Sequence, residues 1–436
     1  MTLKLGCIAD DFTGATDLAN MLVRAGMRVV QVNGVPAPQD PAPADVDAVV
    51  VALKSRTAPV AEAVAQSLDS ARWLRHHGAP MLYFKVCSTF DSTPAGNIGP
   101  VAEALVELTG ADIVPVTPAF PENGRTVYRG HLFVGDQLLS DSPMRQHPLT
   151  PMTDANLVRV LQTQLDPTRG RRVGRVDVRD VASGPARLRA RLDELRRDGV
   201  TFAIVDAIDD DHLRALAAAA ADLPLVVAGS GLAIGLPANH GLAPDPVAAR
   251  LPPAGGRAAV LSGSCSAATR VQVADFIACG GLALRVDPLR LAAGDDPVAA
   301  VNAALAGAAD RGPQGAAGAP ILVYATAEPE QVANAQATLG RERAGALVEQ
   351  ALAEVAVALV AGGVRRLVVA GGETSGACVQ RLGLRTLRIG PQIDPGVPWC
   401  HAPEAAGGAG LHVALKSGNF GGIDFFSRAF DVLAAG

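Results

Sequence analysis

Short runs of Val, Ile and Leu recur along the chain between longer stretches whose apolar positions are spaced for a helix or filled by alanine. A strand buried on both faces reads as a continuous apolar run, so this alternation predicts parallel sheets covered by helices. Strands are expected over residues 3–8, 28–32, 47–53, 80–86, 112–116, 202–206 and 224–228, and then over 258–262, 282–286, 320–325, 366–370, 385–389 and 411–415. Between these two sets lies LPANHGLAPDPVAARLPPAGGR, residues 236–257, whose prolines and glycines forbid a regular element. The chain is therefore expected to split near residue 245, giving a domain over 1–240, a linker over 241–256 and a domain over 257–436. A second irregular region runs from Pro118 to about Pro151; in it GHLFVGDQLL reads as a small hairpin and SPMRQHPLTPM as an ordered loop. Residues 305–320 read as a Gly/Ala-rich connection. The fold class is α/β, with two domains, each a mainly parallel sheet flanked by helices.

Composition narrows the function without choosing it. The 436 residues are 49% apolar and carry a net charge of −5, which describes a core-forming chain without the basic excess that nucleic acid demands. The apolar start meets Asp10 and Asp11 too early for a signal peptide, and no uninterrupted apolar run is long enough to span a bilayer, so a cytoplasmic protein with no membrane partner is expected. The six cysteines lack C-x-x-C spacing, and the eight histidines are too scattered for a metal cluster. No metal ligand can be named.

Candidate chemistry lies in the phrases that end the strands, because ligands of open α/β sheets gather outside the carboxyl ends. In the first half these are IADDFTG (8–14), LKSRT (53–57), FKVCSTFDST (84–93) and TPAFPENGRTV (117–127). Arg56, Lys85 and Arg125 are suited to grip a small carboxylate, and Asp10, Asp11 and Asp91 to accept hydrogen bonds from hydroxyls, any one of the three serving as general base. The plainer reading makes the Asp residues helix caps and the cations surface ion pairs, but a cap explains only one member of the Asp10–Asp11 pair. In the second half the phrases are LSGSCSAATR (261–270), VAGGETSGA (369–377) and ALKSGNFGG (414–422). Ser262 and Ser264 offer hydroxyls to phosphate; Gly371 and Gly372 open a turn; Glu373 can hold a metal-bound water or a ribose hydroxyl; Thr374 begins a helix; Lys416 brings charge, and Gly418 leaves room for a nucleotide. Any one such phrase is ordinary turn chemistry, whereas three in one domain suggest an ATP site. Neither the phosphate-loop nor the dinucleotide fingerprint is present, which disfavours a dehydrogenase.

The motifs IADDFTGATDLANMLVRAG, YFKVCSTFDSTPAGNIGP, VLSGSCSAATR, VAGGETSGA, RIGPQIDPGVPW and ALKSGNFGG, in that order, resemble the four-carbon acid sugar kinase family, most closely its 3-oxo-tetronate branch. The resemblance runs from about residue 3 to residue 428. It implies a sugar-acid-binding first domain, an ATP-binding second domain and an active-site cleft between them. The implied reaction is phosphorylation of the 4-hydroxyl of a 3-oxo acid, 3-dehydro-erythronate, with ATP and Mg²⁺. By position it implies nucleotide contacts at Ser262 or Ser264, Gly371 to Thr374 and Gly418; Ser88, within FKVCSTFDST, joins Arg56, Lys85 and Arg125 as a candidate substrate contact. Where related threonate and erythronate kinases read K-I-D-S-T-x-R-G, this chain reads K-V-C-S-T-F-D-S-T, which favours the oxo-acid branch. The alternatives are a D-threonate or D-erythronate 4-kinase and, from another class, a sugar-acid or nucleotide binding protein without turnover. The expected partner is the small acid, with a homo-oligomer left open.

Overall fold

The computed structural model describes residues 2–147, 150–309 and 320–435, and the chain divides into two compact units, Met1–Ala249 and Arg250–Gly436. Most of the connection expected over 305–320 lies outside the described residues, as do two positions of the expected loop over 142–152.

In the first unit the strands are β1 (Leu5–Ala9), β2 (Val29–Asn33), β3 (Ala48–Ala52), β4 (Leu82–Lys85), β5 (Val114–Thr117), β6 (Arg125–Tyr128), β7 (His131–Val134), β8 (Gln137–Leu138), β9 (Val173–Val176), β10 (Phe202–Val205) and β11 (Leu225–Ala228). The main sheet has the order β2-β3-β1-β4-β11-β5-β10-β9 and is parallel throughout. Strands β1, β3, β4, β5, β10 and β11 are buried along their whole length, which is why they read as unbroken apolar runs. The chain passes from β1 out to the edge strand β2, returns to β3 between them, and then crosses to the other side of β1 with β4. The strand order therefore reverses at β1 and β4, where an open α/β sheet leaves its binding crevice. Strands β6, β7 and β8 form a small antiparallel sheet in which β7 and β8 are the expected hairpin.

The second unit contains β12 (Arg257–Ser262), β13 (Leu282–Arg285), β14 (Ile321–Tyr324), β15 (Val364–Ala370), β16 (Thr386–Asp394), β17 (Val397–Ala402) and β18 (Leu411–Lys416). Their order is β13-β14-β12-β15-β18-β17-β16; the first five are parallel, and β17 runs antiparallel to both β18 and β16. Here the order reverses beside β12. The core contains Val260, Val368, Trp399 and Phe425, and the Trp399 indole donates to the Ala429 carbonyl at 2.7 Å.

Four helices carry the discussion below: α1 (Phe12–Arg24), α2 (Ala267–Ala278), α3 (Arg341–Ala361) and α4 (Gly372–Arg381). Helix α3 is long and apolar enough to cross a membrane by length and composition. It buries Leu352, Val355, Ala356 and Leu359 and packs against α4 and the helix Pro297–Ala309 of its own unit.

Candidate functional site

The turn from β1 into α1 separates the roles of its two aspartates. Asp11 is the helix cap: its Oδ1 accepts from the Gly14 amide at 3.0 Å, and its Oδ2 accepts from the Thr13 hydroxyl at 2.9 Å. Asp10 is buried at the end of β1 and meets Arg56 in a two-pronged contact, Nε to Oδ2 at 3.0 Å and Nη2 to Oδ1 at 2.8 Å. Arg56 Nη2 also reaches Asp11 Oδ1 at 2.7 Å, and Nη1 lies 3.9 Å from Asp91 Oδ2. A fork with both carboxylate oxygens as acceptors is the geometry of an ionised acid. The expected substrate-gripping role of Arg56 is thus largely taken up by the protein's own carboxylates.

Burial pushes the Asp10 carboxyl up, and Arg56 only partly offsets this. Burial acts on Asp11 in the same sense, but the combined pull of Arg56, Lys85, Thr13 and the Gly14 amide outweighs it and the net shift is downward. Lys85 is buried at the end of β4 and donates to the Val86 carbonyl at 2.8 Å. Asp91 is buried and accepts from the Thr89 hydroxyl at 2.5 Å, with the Cys87 thiol 3.0 Å from that same hydroxyl. Burial, reinforced by the Asp91 charge, raises the Cys87 thiol to about 11, so it stays protonated at neutral pH.

Asn97 fixes the loop that carries Arg56: its side-chain amide donates to the carbonyls of Ser55 at 2.7 Å and Ala58 at 2.9 Å. Ser88 is half-buried beside this cluster in sequence, between Cys87 and Thr89. Arg125 begins β6 and donates to the Asn123 carbonyl, while its buried Nε has no partner among the described residues. Burial lowers its pKa. A further carboxylate, Asp17 of α1, is buried and accepts from the Ser230 hydroxyl at 2.5 Å; its other oxygen has no partner among the described residues, and burial raises its pKa to about 6.

In the second unit the three glycine phrases meet. The parallel register aligns Ser262, Ala370 and Lys416, so the segments that follow them leave the sheet side by side. A Cβ on Gly263 would strike the Thr374 hydroxyl, one on Gly418 would stand 2.5 Å from the Ser264 hydroxyl, and one on Gly371 would stand 3.1 Å from the Ser264 amide. Gly371 has φ +118°, which L side chains rarely adopt, and it starts α4 with no side-chain cap. A helix start of this kind suits an anion.

Two positions differ from the sequence expectation. Ser262 is fully buried and hydrogen-bonds the Thr326 hydroxyl at 2.7 Å, which in turn donates to the Ser264 carbonyl at 2.8 Å; it braces the loop from below, leaving Ser264 as the half-buried hydroxyl. Lys416 is also fully buried. Its ammonium donates to Thr269 Oγ1 and to the carbonyls of Ser417, Gly418 and Phe420 at 3.0–3.2 Å, so it holds the loop from beneath instead of projecting toward a ligand. Asp394 likewise accepts from the Gly422 amide at 2.8 Å and pairs with Arg428. Among the described residues no group of three or more His, Cys, Asp or Glu side chains is placed to hold a metal ion.

Two family models match the chain: a sugar-binding N-terminal domain over residues 5–236 and a nucleotide-binding C-terminal domain over residues 259–426. A 3-oxo-tetronate kinase of Pseudomonas fluorescens is 57% identical over 99% of this chain and 97% of its own, and one of Pseudomonas savastanoi is 56% identical with the same coverage. The chain belongs to the four-carbon acid sugar kinase family. A solved structure from Salmonella typhimurium LT2, provisionally described as a tRNA synthase, has the same fold: TM-score 0.86 and 42% identity, covering 98% of this chain and 99% of that one.

In this kinase the sequence motifs missed the residues that support the site from behind. Asn97, Thr326 and Gln272 act only through backbone carbonyls and hydroxyls, which the sequence does not display. The signal that could have found Thr326 is its place two residues past the apolar run ILVY.

Proposed function

We propose that this kinase transfers the γ-phosphate of ATP to the 4-hydroxyl of a four-carbon 3-oxo acid, 3-dehydro-erythronate, giving the 4-phosphate and ADP. The observation that carries the reading is whole-length identity above one half to relatives named 3-oxo-tetronate kinase, in a chain that has buried acid and cation side chains at the β1/β4 reversal. ATP supplies the phosphoryl group. Gly371 and Gly418 fit it, because their missing side chains leave the backbone open beside Ser264, and the uncapped start of α4 suits its phosphates. Mg²⁺ accompanying the nucleotide would need only one or two protein carboxylates, and Glu373 at the start of α4 is our candidate.

For the acid, Lys85, Arg125 and Ser88 are the proposed binding groups, with Arg56 serving mainly to fix Asp10 and Asp11. Hydrogen bonding distinguishes the candidate bases. Both oxygens of Asp10 and of Asp11 are engaged by donors, whereas among the described residues Asp91 Oδ2 has only the Arg56 nitrogen at 3.9 Å. We therefore assign Asp91 as the group that takes the proton from the attacking hydroxyl. Asp10 and Asp11 orient the acceptor hydroxyls and keep Arg56 in place. An ATP-dependent enzyme acting on a small polar acid also suits the cytoplasm.

The test is ADP release by the purified protein with ATP and Mg²⁺ against 3-oxo acids, D-threonate and D-erythronate. Turnover of the 3-oxo acids is expected, with kcat reduced on the order of a hundredfold or more in Asp91→Asn. Turnover confined to threonate or erythronate would move the substrate to the sister activity, and no turnover with any acid would overturn the kinase reaction.

A further inference from the structure

The loop 417–422 after β18 is held almost entirely through its carbonyl groups. The Gly418 carbonyl accepts from Ser266 at 2.5 Å, from Thr269 at 2.8 Å and from Lys416 at 3.1 Å. Lys416 also takes the carbonyls of Ser417 and Phe420. Gln272 of α2 extends the pattern: its side-chain amide donates to the carbonyls of Phe420 at 3.1 Å and of Gly421 and Gly422 at 2.9 Å. Lys416, Thr269 and Gln272 are buried, whereas the loop residues themselves are half-buried or exposed.

A trans peptide points its C=O and its N–H in opposite directions, and the described residues contain no cis peptide. Carbonyls drawn inward therefore turn the following amides outward. Of these, the Gly422 amide is taken by Asp394 at 2.8 Å, whereas the amides of Gly418, Asn419 and Gly421 donate to no protein acceptor among the described residues. Successive outward amides form an anion-binding concavity. Its partial positive charge is kept on the ligand side while the Lys416 amine stays beneath.

We propose that Lys416, together with Gln272, is a positioning residue for phosphoryl transfer: it turns the carbonyls of the 417–422 loop inward so that the Gly418, Asn419 and Gly421 amides receive nucleotide phosphates. The inference rests on the nucleotide reading given above and adds the origin of the loop's shape. A lysine that touched phosphate directly would be replaceable by another flexible cation. One that organises a backbone is not, and its loss falls on phosphate recognition alone.

The experiment is calorimetric titration of the full-length protein with ATP, ADP and adenosine in Mg²⁺, for the wild type, Lys416→Met, Gln272→Met, Thr269→Ser and Thr269→Val. Lys416→Met and Gln272→Met are expected to weaken ATP by about tenfold or more, ADP by less, and adenosine by under about twofold. The KM for the sugar acid stays unchanged, and Thr269→Ser, which keeps the hydroxyl, binds ATP within about twofold of wild type while Thr269→Val does not. Equal weakening of ATP and adenosine, or ATP binding within about twofold of wild type in folded Lys416→Met and Gln272→Met, would overturn the proposal. If Lys416→Met does not fold, Gln272→Met decides. A wild type that binds no adenine nucleotide would overturn the nucleotide reading and this inference with it.

Discussion

Asp17 shows how one buried side chain sets a pH dependence. Its folded pKa of about 6, raised by burial, lies above the usual carboxylate value, so between roughly pH 4 and pH 6 the folded chain binds the proton more tightly than the unfolded chain does. Stability then falls as pH rises through that window and is level above it. Asp17→Asn keeps a partner for the Ser230 hydroxyl and removes the buried charge. At pH 8 it should stabilise the protein by about 1–3 kcal/mol, with little effect at pH 4, as read by denaturant melts at both pH values. Asp17 was invisible in the sequence because an acid on an amphipathic helix reads as solvated. Asp10 and Asp11 were legible as a pair, since two adjacent acids exceed what a single cap requires. Their division of labour was not, because Arg56 comes from the far end of β3 and only the fold brings it near.

At the scale of elements, the buried parallel strands were the most legible features, and the two missed strands escaped for different reasons. Strand β9, Val173–Val176, sits at the edge of its sheet with only Val176 buried, so its residues carry no continuous apolar run. Strand β17 lies in PQIDPGVPW, where three prolines suggest a loop. The β16–β17 pair accommodates Pro391 and Pro398 through register shifts between Ile389 and Gln392 and between Gln392 and Asp394. The loop that starts α4 depends on one glycine in the same way. Gly371→Ala must place a Cβ 3.1 Å from the Ser264 amide at a φ that disfavours it. The variant should lose about 1–3 kcal/mol of stability and raise the KM for ATP, measured by chemical denaturation and by steady-state kinetics.

At the scale of the molecule, each unit repeats one plan: the strand order reverses beside the first strand, and polar phrases collect where the carboxyl ends diverge. This plan was readable from alternating apolar runs, and the phrases were readable from their positions after them. Because the two groups of phrases belong to separate units, their ligands should act separately on stability. ATP with Mg²⁺ at about a hundred times its Kd should add about 2.7 kcal/mol to whatever unfolding step includes the second unit, as should the sugar acid for the first, by scanning calorimetry. A single ligand that shifts neither step would contradict the assignment of that unit.

The order of strands also bears on synthesis. In the first unit β11 is the last strand of the main sheet to leave the ribosome, yet it is inserted between β4 and β5. In the second unit β18 comes last and is inserted between β15 and β17. Until each arrives, the strands on either side of its place lack a neighbour, and long-range pairing of this kind is slow and prone to aggregation. A nascent chain arrested before Leu225 should therefore resist compaction and engage chaperones, whereas release of a few tens of further residues, enough to clear the exit tunnel, should let the first sheet close in one step.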